Sequence, residues 1–278
     1  DFEYTLGDIK MTREMMISEL LKKGYNVAPK DTVKNGVLKK GIAFLSAPHS
    51  ITIFHVDELL NYAEATHRSL DWAVSEVLKA YHASSYDLSD FTDPEWLLDN
   101  LYIGMQKNST EPLVKRTYPE LSGLESYLYI RKMQDGDSFL SARMSKTLLD
   151  NLGISVDEAW ELAETNTFSE TKIIPLESIL FPEENPGIDF PPMYALSNSL
   201  HTCGASAILN KRELSEFAEA YDTDKIAAMP SSIHEFIIMP YDPSINIDSL
   251  SQIVREVNEY DVIPEERLTD KAYILTVR

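Results

Sequence analysis

The sequence has little cysteine and no long apolar run. Cys203 is the single cysteine among 278 residues, so no intramolecular disulfide can form and the common structural zinc sites lack their thiolates. No segment approaches the roughly 18 consecutive apolar residues of a membrane span. The first residues, Asp1-Phe2-Glu3-Tyr4, lack the basic and apolar regions of a signal peptide. We therefore expect a cytoplasmic protein that does not associate with membranes.

Basic residues are scarce as well. The chain has 25 Lys and Arg against 45 Asp and Glu, a formal net charge of −20. Residues 140–278 carry 10 basic and 24 acidic side chains, whereas residues 1–139 carry 15 and 21. Such a charge repels bare nucleic acid and anionic membranes, so direct nucleic-acid binding is not expected. We interpret the acidic residues as a solvated surface. The alternative is that the protein mimics nucleic acid, which would require a continuous stripe of carboxylates in residues 140–278.

The common catalytic and cofactor motifs are missing too. The sequence contains no G-x-G-x-x-G, G-x-x-x-x-G-K, G-x-S-x-G or H-E-x-x-H. His234-Glu235 begins like the last of these, but Ile238 stands where the second histidine ligand belongs. Gly204 and Ser206 begin a nucleophile elbow that lacks its second glycine, and we expect Ser206 inside a strand. The sequence therefore predicts neither a cofactor nor a metal.

One acidic series has the residue types of a calcium site. It consists of Asp87, Asp90, Asp93, Glu95 and Asp99. Calcium needs six to eight oxygen ligands at set spacing, and its common loop includes a glycine. The series has neither that loop pattern nor the glycine, so we interpret these residues as helix caps and solvated charge.

What the sequence does contain is the pattern of a folded α+β protein. Hydrophobic residues make up 44% and charged residues 25%, as in ordinary globular domains. Alternating apolar residues predict four strand pairs, each followed by an amphipathic helix, and a closing strand over residues 273–277. The pairs are residues 42–45 with 51–54, 127–130 with 139–144, 193–198 with 204–209, and 226–229 with 233–239. Successive hairpin-helix units of this kind predict helices packed on a mainly antiparallel sheet.

Capping residues predict where the helices begin. The first helix spans residues 12–23, and the last spans residues 248–258 with Leu250, Ile253, Val254 and Val257 buried. The expected caps are Asp57, Ser69, Asp93 before Pro94, Ser155 with Glu158, and Asn210 with Glu213. We expect the helix after Pro94 to continue to about residue 106.

A polar stretch with two prolines, residues 108–119, predicts a boundary between an N-terminal and a C-terminal part. It divides the chain into two α+β parts, residues 1–110 and 111–278. One continuous domain is the alternative. A second proline-rich stretch, residues 181–192, is predicted to cross the molecule without regular structure.

The most suggestive segment for a site is Pro230-Ser231-Ser232-Ile233-His234-Glu235. If the segment is a strand, Ser232 and His234 share one face, which brings a hydroxyl next to an imidazole. That pair is the minimum for an activated serine or a polar binding spot. The candidate residues are Ser231, Ser232, His234 and Glu235. The alternative is that the segment is an ordinary turn and that His234 is a hydrogen-bonded structural residue.

Cys203 is a second candidate, as a nucleophile with His201 or His234 as its base. Cysteine is among the most frequently buried residue types and packs as a small apolar group. We therefore favour a structural role for Cys203.

Several blocks of the chain resemble a family of gut-bacterial proteins known as domain of unknown function 5688. The blocks are residues 194–198, 204–207, 216–219 and, above all, 229–237 with Pro240; weaker likeness extends through 261–270 and back to 34–37 and 51–53. The family usually has a bulky residue in place of Cys203, and it favours a proline-threonine pair where this chain has Ser50-Ile51-Thr52. The resemblance implies a bacterial cytoplasmic setting, carries no activity or ligand, and directs attention to His234.

The leading functional hypothesis is a non-catalytic binding or interaction protein whose partner is a protein or a small ligand. It is favoured because the sequence has scattered histidines and no clear convergence of polar groups. The alternative is a hydrolase or transferase that uses Ser232 and His234, with Glu235 or a distant carboxylate orienting the imidazole.

Overall fold

A computed structural model describes residues 10–47, 50–83, 89–133, 139–181 and 192–278. It divides the chain into two compact units, Asp1–Asp87 and Leu88–Arg278. Every strand pair among the described residues is antiparallel, and helices pack on the sheets, so the predicted α+β class is confirmed. Among the described residues, no helix is long and apolar enough to cross a membrane.

The first unit joins short strands to helices around one core. In chain order its elements are α1 (Arg13–Lys22), β1 (Val27–Pro29), β2 (Thr32–Lys34), β3 (Val37–Lys39), β4 (Gly41–Ala47), β5 (Ser50–His55), α2 (Asp57–Ala65) and α3 (Leu70–Ala83). Strands β1, β4 and β5 form one sheet in that order, and β2 pairs with β3. The core lies between this sheet and the helices, around Met16, Leu20, Phe44 and Val74.

The second unit begins with α4 (Pro94–Asp99) and a sheet of short and long strands. The strands are β6 (Leu101–Lys107), β7 (Lys115–Thr117), β8 (Leu124–Met133) and β9 (Phe139–Arg143), and β8 pairs with all three others. Helices α5 (Lys146–Leu152) and α6 (Val156–Ser169) follow. A core around Leu101, Ile130 and Trp160 joins this sheet to α6.

A five-stranded sheet completes the second unit. Its elements are β10 (Thr171–Pro175), α7 (Leu176–Leu180), β11 (Tyr194–Asn198), α8 (Lys211–Ala220), β12 (Lys225–Ser232), β13 (Glu235–Pro240), α9 (Ile247–Tyr260) and β14 (Tyr273–Thr276). The strand order is β10-β11-β13-β12-β14. Short 3-10 helices cover Ser89–Thr92, Pro119–Leu121 and Gly204–Leu209.

Most of the predicted local signals are confirmed. Side chains of Thr12, Asp93, Ser155 and Asn210 accept backbone N–H groups at the starts of their helices, and Ser69 accepts from Trp72. The hairpins β4-β5, β8-β9 and β12-β13 are present. The turns at residues 48–49 and 134–138 and most of the predicted crossing, residues 182–191, lie outside the described residues.

Two predicted elements are wrong. Residues 101–106, expected to continue a helix, form β6, because each residue from Leu101 to Lys107 pairs with β8. Residues 204–209, expected as a strand, form a 3-10 helix. Strand β11 has β10 on one side and β13 on the other, so no free edge remains there for a further strand.

Smaller errors concern single residues. Asp57 is the first residue of α2 and does not cap it; its carboxylate accepts the N–H of Lys40 instead, at 3.4 Å. Ile253, expected in the core, is 49% exposed on α9.

The division into compact units also differs from the predicted boundary at residues 110 and 111. That boundary falls inside the second unit, between β6 and β8, which are paired strands of one sheet. The backbone N–H of Asn108 donates to the carbonyl of Gly123 at 3.0 Å, and β6 pairs with β8 along its whole length, so the two sides of the polar stretch are joined. The first compact unit ends at Asp87, and the boundary at residues 110 and 111 stays a prediction that truncation tests.

Candidate functional site

The residues singled out in the sequence lie at the turn between β12 and β13. Ser231 and Ser232 end β12, Glu235 begins β13, and Ser232 pairs with Glu235. Ile233 and His234 therefore form the turn itself. The prediction that Ser232 and His234 share one face of a strand is wrong, because the chain reverses direction between them.

Both ring nitrogens of His234 face fixed groups. Nδ1 accepts the backbone N–H of Cys203 at 3.0 Å, so the proton of the neutral ring lies on Nε2. Nε2 lies 3.4 Å from a carboxylate oxygen of Glu266. The hydroxyl of Ser232 accepts the backbone N–H of His234 at 3.0 Å. The imidazole and this hydroxyl are thus each bonded to backbone, and they do not form a nucleophile and base pair.

The backbone of the turn is tied to two further segments. The carbonyl of His234 accepts the hydroxyl of Ser197 at 2.8 Å, and the carbonyl of Ile233 accepts the N–H of Ala205 at 3.2 Å. The N–H of Ile233 donates to the carbonyl of Glu266 at 2.9 Å. The turn therefore joins the end of β11, the 3-10 helix after it and the segment before β14.

Gly204 makes this close approach possible. A Cβ at this position would lie 2.6 Å from the backbone nitrogen of Asn198 and 2.9 Å from the carbonyl oxygen of His234, and it would also meet the hydroxyl of Ser197. Backbone atoms cannot give way as a flexible side chain does. Close packing thus explains the glycine at residue 204, which belongs to one of the blocks that resemble the family.

Cys203 touches His234 through its backbone. It has a left-handed conformation with φ of 54°, as does His201 with φ of 50°. Such angles are uncommon for residues other than glycine and mark a closely constrained bend. The side chain of His201 is exposed, and that of Cys203 is half-buried. The hydrogen bond between Cys203 and His234, the predicted base, is donated by the backbone N–H of Cys203 and does not involve the thiol.

Ser206, Asp90 and Asp93, also considered from the sequence, have structural partners. Ser206 is buried in the 3-10 helix, and its hydroxyl donates to the carbonyl of Ile103 at 2.6 Å. Asp93 caps α4, Asp90 pairs with Lys132 at 2.7 Å, and Asp87 lies outside the described residues. Among the described residues, no three His, Cys, Asp or Glu side chains form a group that could hold a metal ion.

A buried polar network crosses the sheet of the second unit. The carboxylate of Glu125 on β8 accepts from Gln106 at 2.8 Å, from Ser109 at 2.7 Å and from Lys115 at 3.2 Å. Burial acts to raise the pKa of Glu125, but the hydrogen bonds from Ser109, Gln106 and Lys115 outweigh it and hold the pKa below its ordinary value of 4.5. The network binds β6, β7 and β8 together with a charged carboxylate.

Tyrosine and arginine side chains continue that face of the sheet. The guanidinium of Arg143 lies 4.8 Å from the ring centre of Tyr127, and that of Arg131 lies 3.7 Å from the ring centre of Tyr102. Burial, with a smaller contribution from Cys203, raises the pKa of Tyr127 to about 12 against the opposing charge of Arg143. The phenol is therefore protonated at neutral pH and is unsuited to act as a base.

A cleft of about 440 Å³ opens elsewhere in the second unit. Its lining comes mainly from β6, β7, α6, the start of α8 and β14. The lining residues are Ile103, Arg116, Tyr118, Glu120, Leu121, Glu164, Phe168, Ile208–Leu214 without Glu213, and Leu275–Val277. Its volume is within the range of small-molecule sites.

The floor of the cleft is apolar and its rim is charged. Leu121, Ile208, Leu214 and Leu275 are buried core residues that line it. Exposed charged residues stand around the opening, namely Arg116, Glu120, Lys211 and Arg212. An apolar base with a few polar groups near the mouth is the common composition of a ligand pocket.

Two side chains at the cleft are held in place. The guanidinium of Arg116 lies 4.3 Å from the ring centre of Trp160, and its Nη1 donates to Glu164 at 2.9 Å. The hydroxyl of Tyr118 shares a hydrogen bond of 2.8 Å with Ser126. Burial raises the pKa of Tyr118, so its phenol is neutral under ordinary conditions. These contacts position Arg116 and Tyr118 along the cleft wall.

Sequence reasoning missed this cleft. Its walls come from segments that lie far apart in the chain, and each segment reads locally as an ordinary strand or helix. One signal was present: Lys211 and Arg212 occupy the first turn of a helix, where acidic residues are the usual choice.

These features define an α+β protein of two compact units, with a ligand-sized cleft in the second. Residues 10–276 match the model of the family described as Family of unknown function (DUF5688), and the chain belongs to that family. The family resemblance inferred from residues 229–237 is thereby confirmed. No curated protein and no solved structure is significantly similar to the chain.

Proposed function

We propose that this protein is a non-catalytic, cytoplasmic binding protein that holds a small, largely apolar molecule in the cleft of its second unit. The observation that carries the proposal is the cleft itself, about 440 Å³, in which the half-buried apolar side chains of Phe168, Leu209 and Val277 stand above a floor of buried aliphatic residues. Apolar surface that faces an open cleft gains free energy, about 25 cal/mol for each Å² covered, when a ligand removes it from water.

The geometry of His234 supports a binding protein over the alternative hydrolase or transferase. A general base must reach the proton of its nucleophile, yet the nitrogen of His234 that lacks a proton accepts from the backbone of Cys203. The hydroxyl of Ser232 is bonded to backbone as well. Glu235 pairs with Ser232 in the hairpin, and the carboxylate beside the imidazole is that of Glu266.

The cleft is tested with N-phenyl-1-naphthylamine, an uncharged dye that fluoresces in apolar surroundings. We expect saturable binding of one dye molecule to the full chain. Leu209→Trp places a larger side chain in the cleft wall and should abolish that binding. Leu180→Trp makes the same exchange at an exposed position of α7 and should leave the binding unchanged.

Circular dichroism of both variants establishes that they are folded. The proposal fails if the dye does not bind in a saturable way, or if folded Leu209→Trp binds it as well as the unaltered protein. Esterase and phosphatase activity that is lost in Ser232→Ala, while the fold is retained, would support the catalytic alternative instead.

A further inference from the structure

Basic residues outnumber acidic residues in the lining of the cleft, whereas acidic residues outnumber basic ones in the second unit as a whole. The second unit carries 15 basic and 33 acidic side chains, a net −18, whereas the first unit carries 10 and 12. Basic residues are thus a minority in the second unit. Among the charged residues that line the cleft they are the majority, namely Arg116, Lys211 and Arg212 against Glu120 and Glu164.

Arg116 is placed to receive an anion. Its guanidinium carbon lies 4.3 Å from the ring centre of Trp160, and Nη1 alone donates to Glu164. A guanidinium has five N–H donors in a rigid fork that matches the oxygens of a carboxylate, sulfonate or phosphate. The other donors of Arg116 have no acceptor among the described residues. An incompletely bonded guanidinium at the mouth of a cleft suits an anionic head group.

Lys211 and Arg212 strengthen the positive potential at the same mouth. They are the first two residues of α8, a helix of ten residues whose positive dipole end points the same way. Cations at this end oppose the helix dipole, so the arrangement is unfavourable until an anion binds. Arg212 pairs with Glu213 at 2.9 Å, whereas no carboxylate among the described residues pairs with Lys211.

The apolar floor excludes a bare inorganic ion as the natural occupant. A phosphate ion would satisfy the rim and leave the half-buried apolar side chains of Phe168, Leu209 and Val277 facing water. We infer that the ligand of the cleft is an amphipathic organic acid, with its anionic group at Arg116, Lys211 and Arg212 and its apolar body on the floor. This inference rests on the proposed function, since it names the class of ligand for the same cleft.

Two dyes that share one ring system separate the inference from the proposed function. 8-Anilinonaphthalene-1-sulfonate is N-phenyl-1-naphthylamine with an added sulfonate. We expect the full chain to bind the sulfonate dye about tenfold more tightly than the neutral dye, as one good charge-assisted interaction allows. Added salt should weaken binding of the sulfonate dye and leave that of the neutral dye unchanged.

The variant Lys211→Gln/Arg212→Gln should remove this preference, so that it binds the two dyes with similar affinity. Lys172→Gln/Lys271→Gln is the matched control, because it removes two exposed positive charges from the same unit away from the cleft. It should keep the preference. Both variants alter surface side chains, and thermal unfolding establishes that they retain the fold.

The other possible results of the dye experiments contradict either the anionic class of the ligand or the proposed binding function. If the neutral dye binds and the sulfonate dye binds no better, the anionic class is wrong and the cleft remains a binding site. The anionic class is also wrong if the preference survives Lys211→Gln/Arg212→Gln, or if the sulfonate dye still binds Leu209→Trp. If neither dye binds, the proposed function fails and the inference fails with it.

Discussion

The imidazole of His234 acts as a hydrogen-bond acceptor that closes a backbone junction. The N–H of Cys203 donates to Nδ1 at 3.0 Å, and Cys203 has a left-handed conformation at the point where the chain enters the 3-10 helix. A backbone N–H left without a partner in a half-buried place costs about 1–3 kcal/mol. A catalytic role of His234 would depend on Nε2 instead of Nδ1.

Replacements of His234 distinguish these roles. Asn carries an oxygen near the position of Nδ1, whereas Gln carries one near Nε2. We expect His234→Asn to retain most of the stability, and His234→Ala and His234→Gln to lose about 1–3 kcal/mol because the N–H of Cys203 loses its acceptor. Urea denaturation of the full chain measures the three variants side by side. Equal losses in all three would contradict a role based on Nδ1.

Among the strands, the carboxylate of Glu125 links β6, β7 and β8 through the network with Gln106, Ser109 and Lys115. Glu125 is 2% exposed, and Gln106 is 1% exposed. The network is a charged group held by hydrogen bonds inside a sheet. Its contribution to stability depends on the charge, since a neutral carboxyl is a weaker acceptor for three donors.

The pH dependence of stability tests the network. The folded pKa of Glu125 lies below the ordinary value of 4.5, so the folded state binds this proton less readily than the unfolded chain does. Its contribution is complete above that ordinary value and is lost as pH falls through the lower folded pKa. We expect urea midpoints of the protein to fall steeply below about pH 4.5.

Glu125→Gln is the informative variant because it keeps the shape and removes the titration. It should be less stable at pH 7 and show a shallower decline between pH 5 and pH 3 than the unaltered protein, as the linkage between proton binding and folding requires. Glu177→Gln, at a partly exposed site on α7, is the control and should follow the unaltered curve. A Glu125→Gln curve parallel to that of the unaltered protein would show that other carboxylates dominate acid unfolding.

Across the whole chain, each compact unit encloses its own hydrophobic core. The core around Met16 and Phe44 uses residues of the first unit alone, and the cores around Phe236, Trp160 and Val254 use residues of the second. A unit that buries its apolar surface internally has what it needs to fold by itself. The cleft and the β12-β13 junction both belong to the second unit.

Truncation tests the division after Asp87. We expect residues 88–278 to fold cooperatively and to bind the dyes as the full chain does. Residues 111–278 should fail to fold, because β8 loses the partner β6 and the core loses Leu101, Ile103 and Met105. Size-exclusion chromatography and circular dichroism with urea measure both fragments. A fragment 111–278 that folds as well as 88–278 would restore the boundary predicted from the sequence.

Local signals in the sequence predicted local structure well. Ser155, Asp93 and Asn210 cap their helices because an N-cap depends on residues within one turn. The strand pairs β4-β5 and β8-β9 followed from alternation of apolar residues, which is also a short-range pattern. Predictions failed where distant partners decide the outcome. Leu101–Lys107 became a strand because β8 pairs with it, and its Gly104 leaves the space that the ring of Tyr127 occupies.

The candidate site divides in the same way. The importance of residues 229–237 was visible in the sequence, but the role of His234 depends on Cys203, Ser197 and Glu266, which are neighbours only after folding. The cleft had one local sign, the basic start of α8. The apolar floor of the cleft and the position of Arg116 at its rim could not be predicted. No short-range rule relates Arg116 to residues 208–214 and 275–277.

By itself, the sequence determined the α+β class, the family, the helix starts, three of the hairpins and the acidic balance, since these depend on composition and on residues close in the chain. Tertiary structure alone decided that Leu101–Lys107 is a strand, that the imidazole of His234 accepts the backbone N–H of Cys203, and that charged residues, with basic ones in the majority, surround an apolar cleft. Those outcomes arise from contacts between segments brought together by burial of apolar surface, and such contacts leave no mark in any short stretch of sequence.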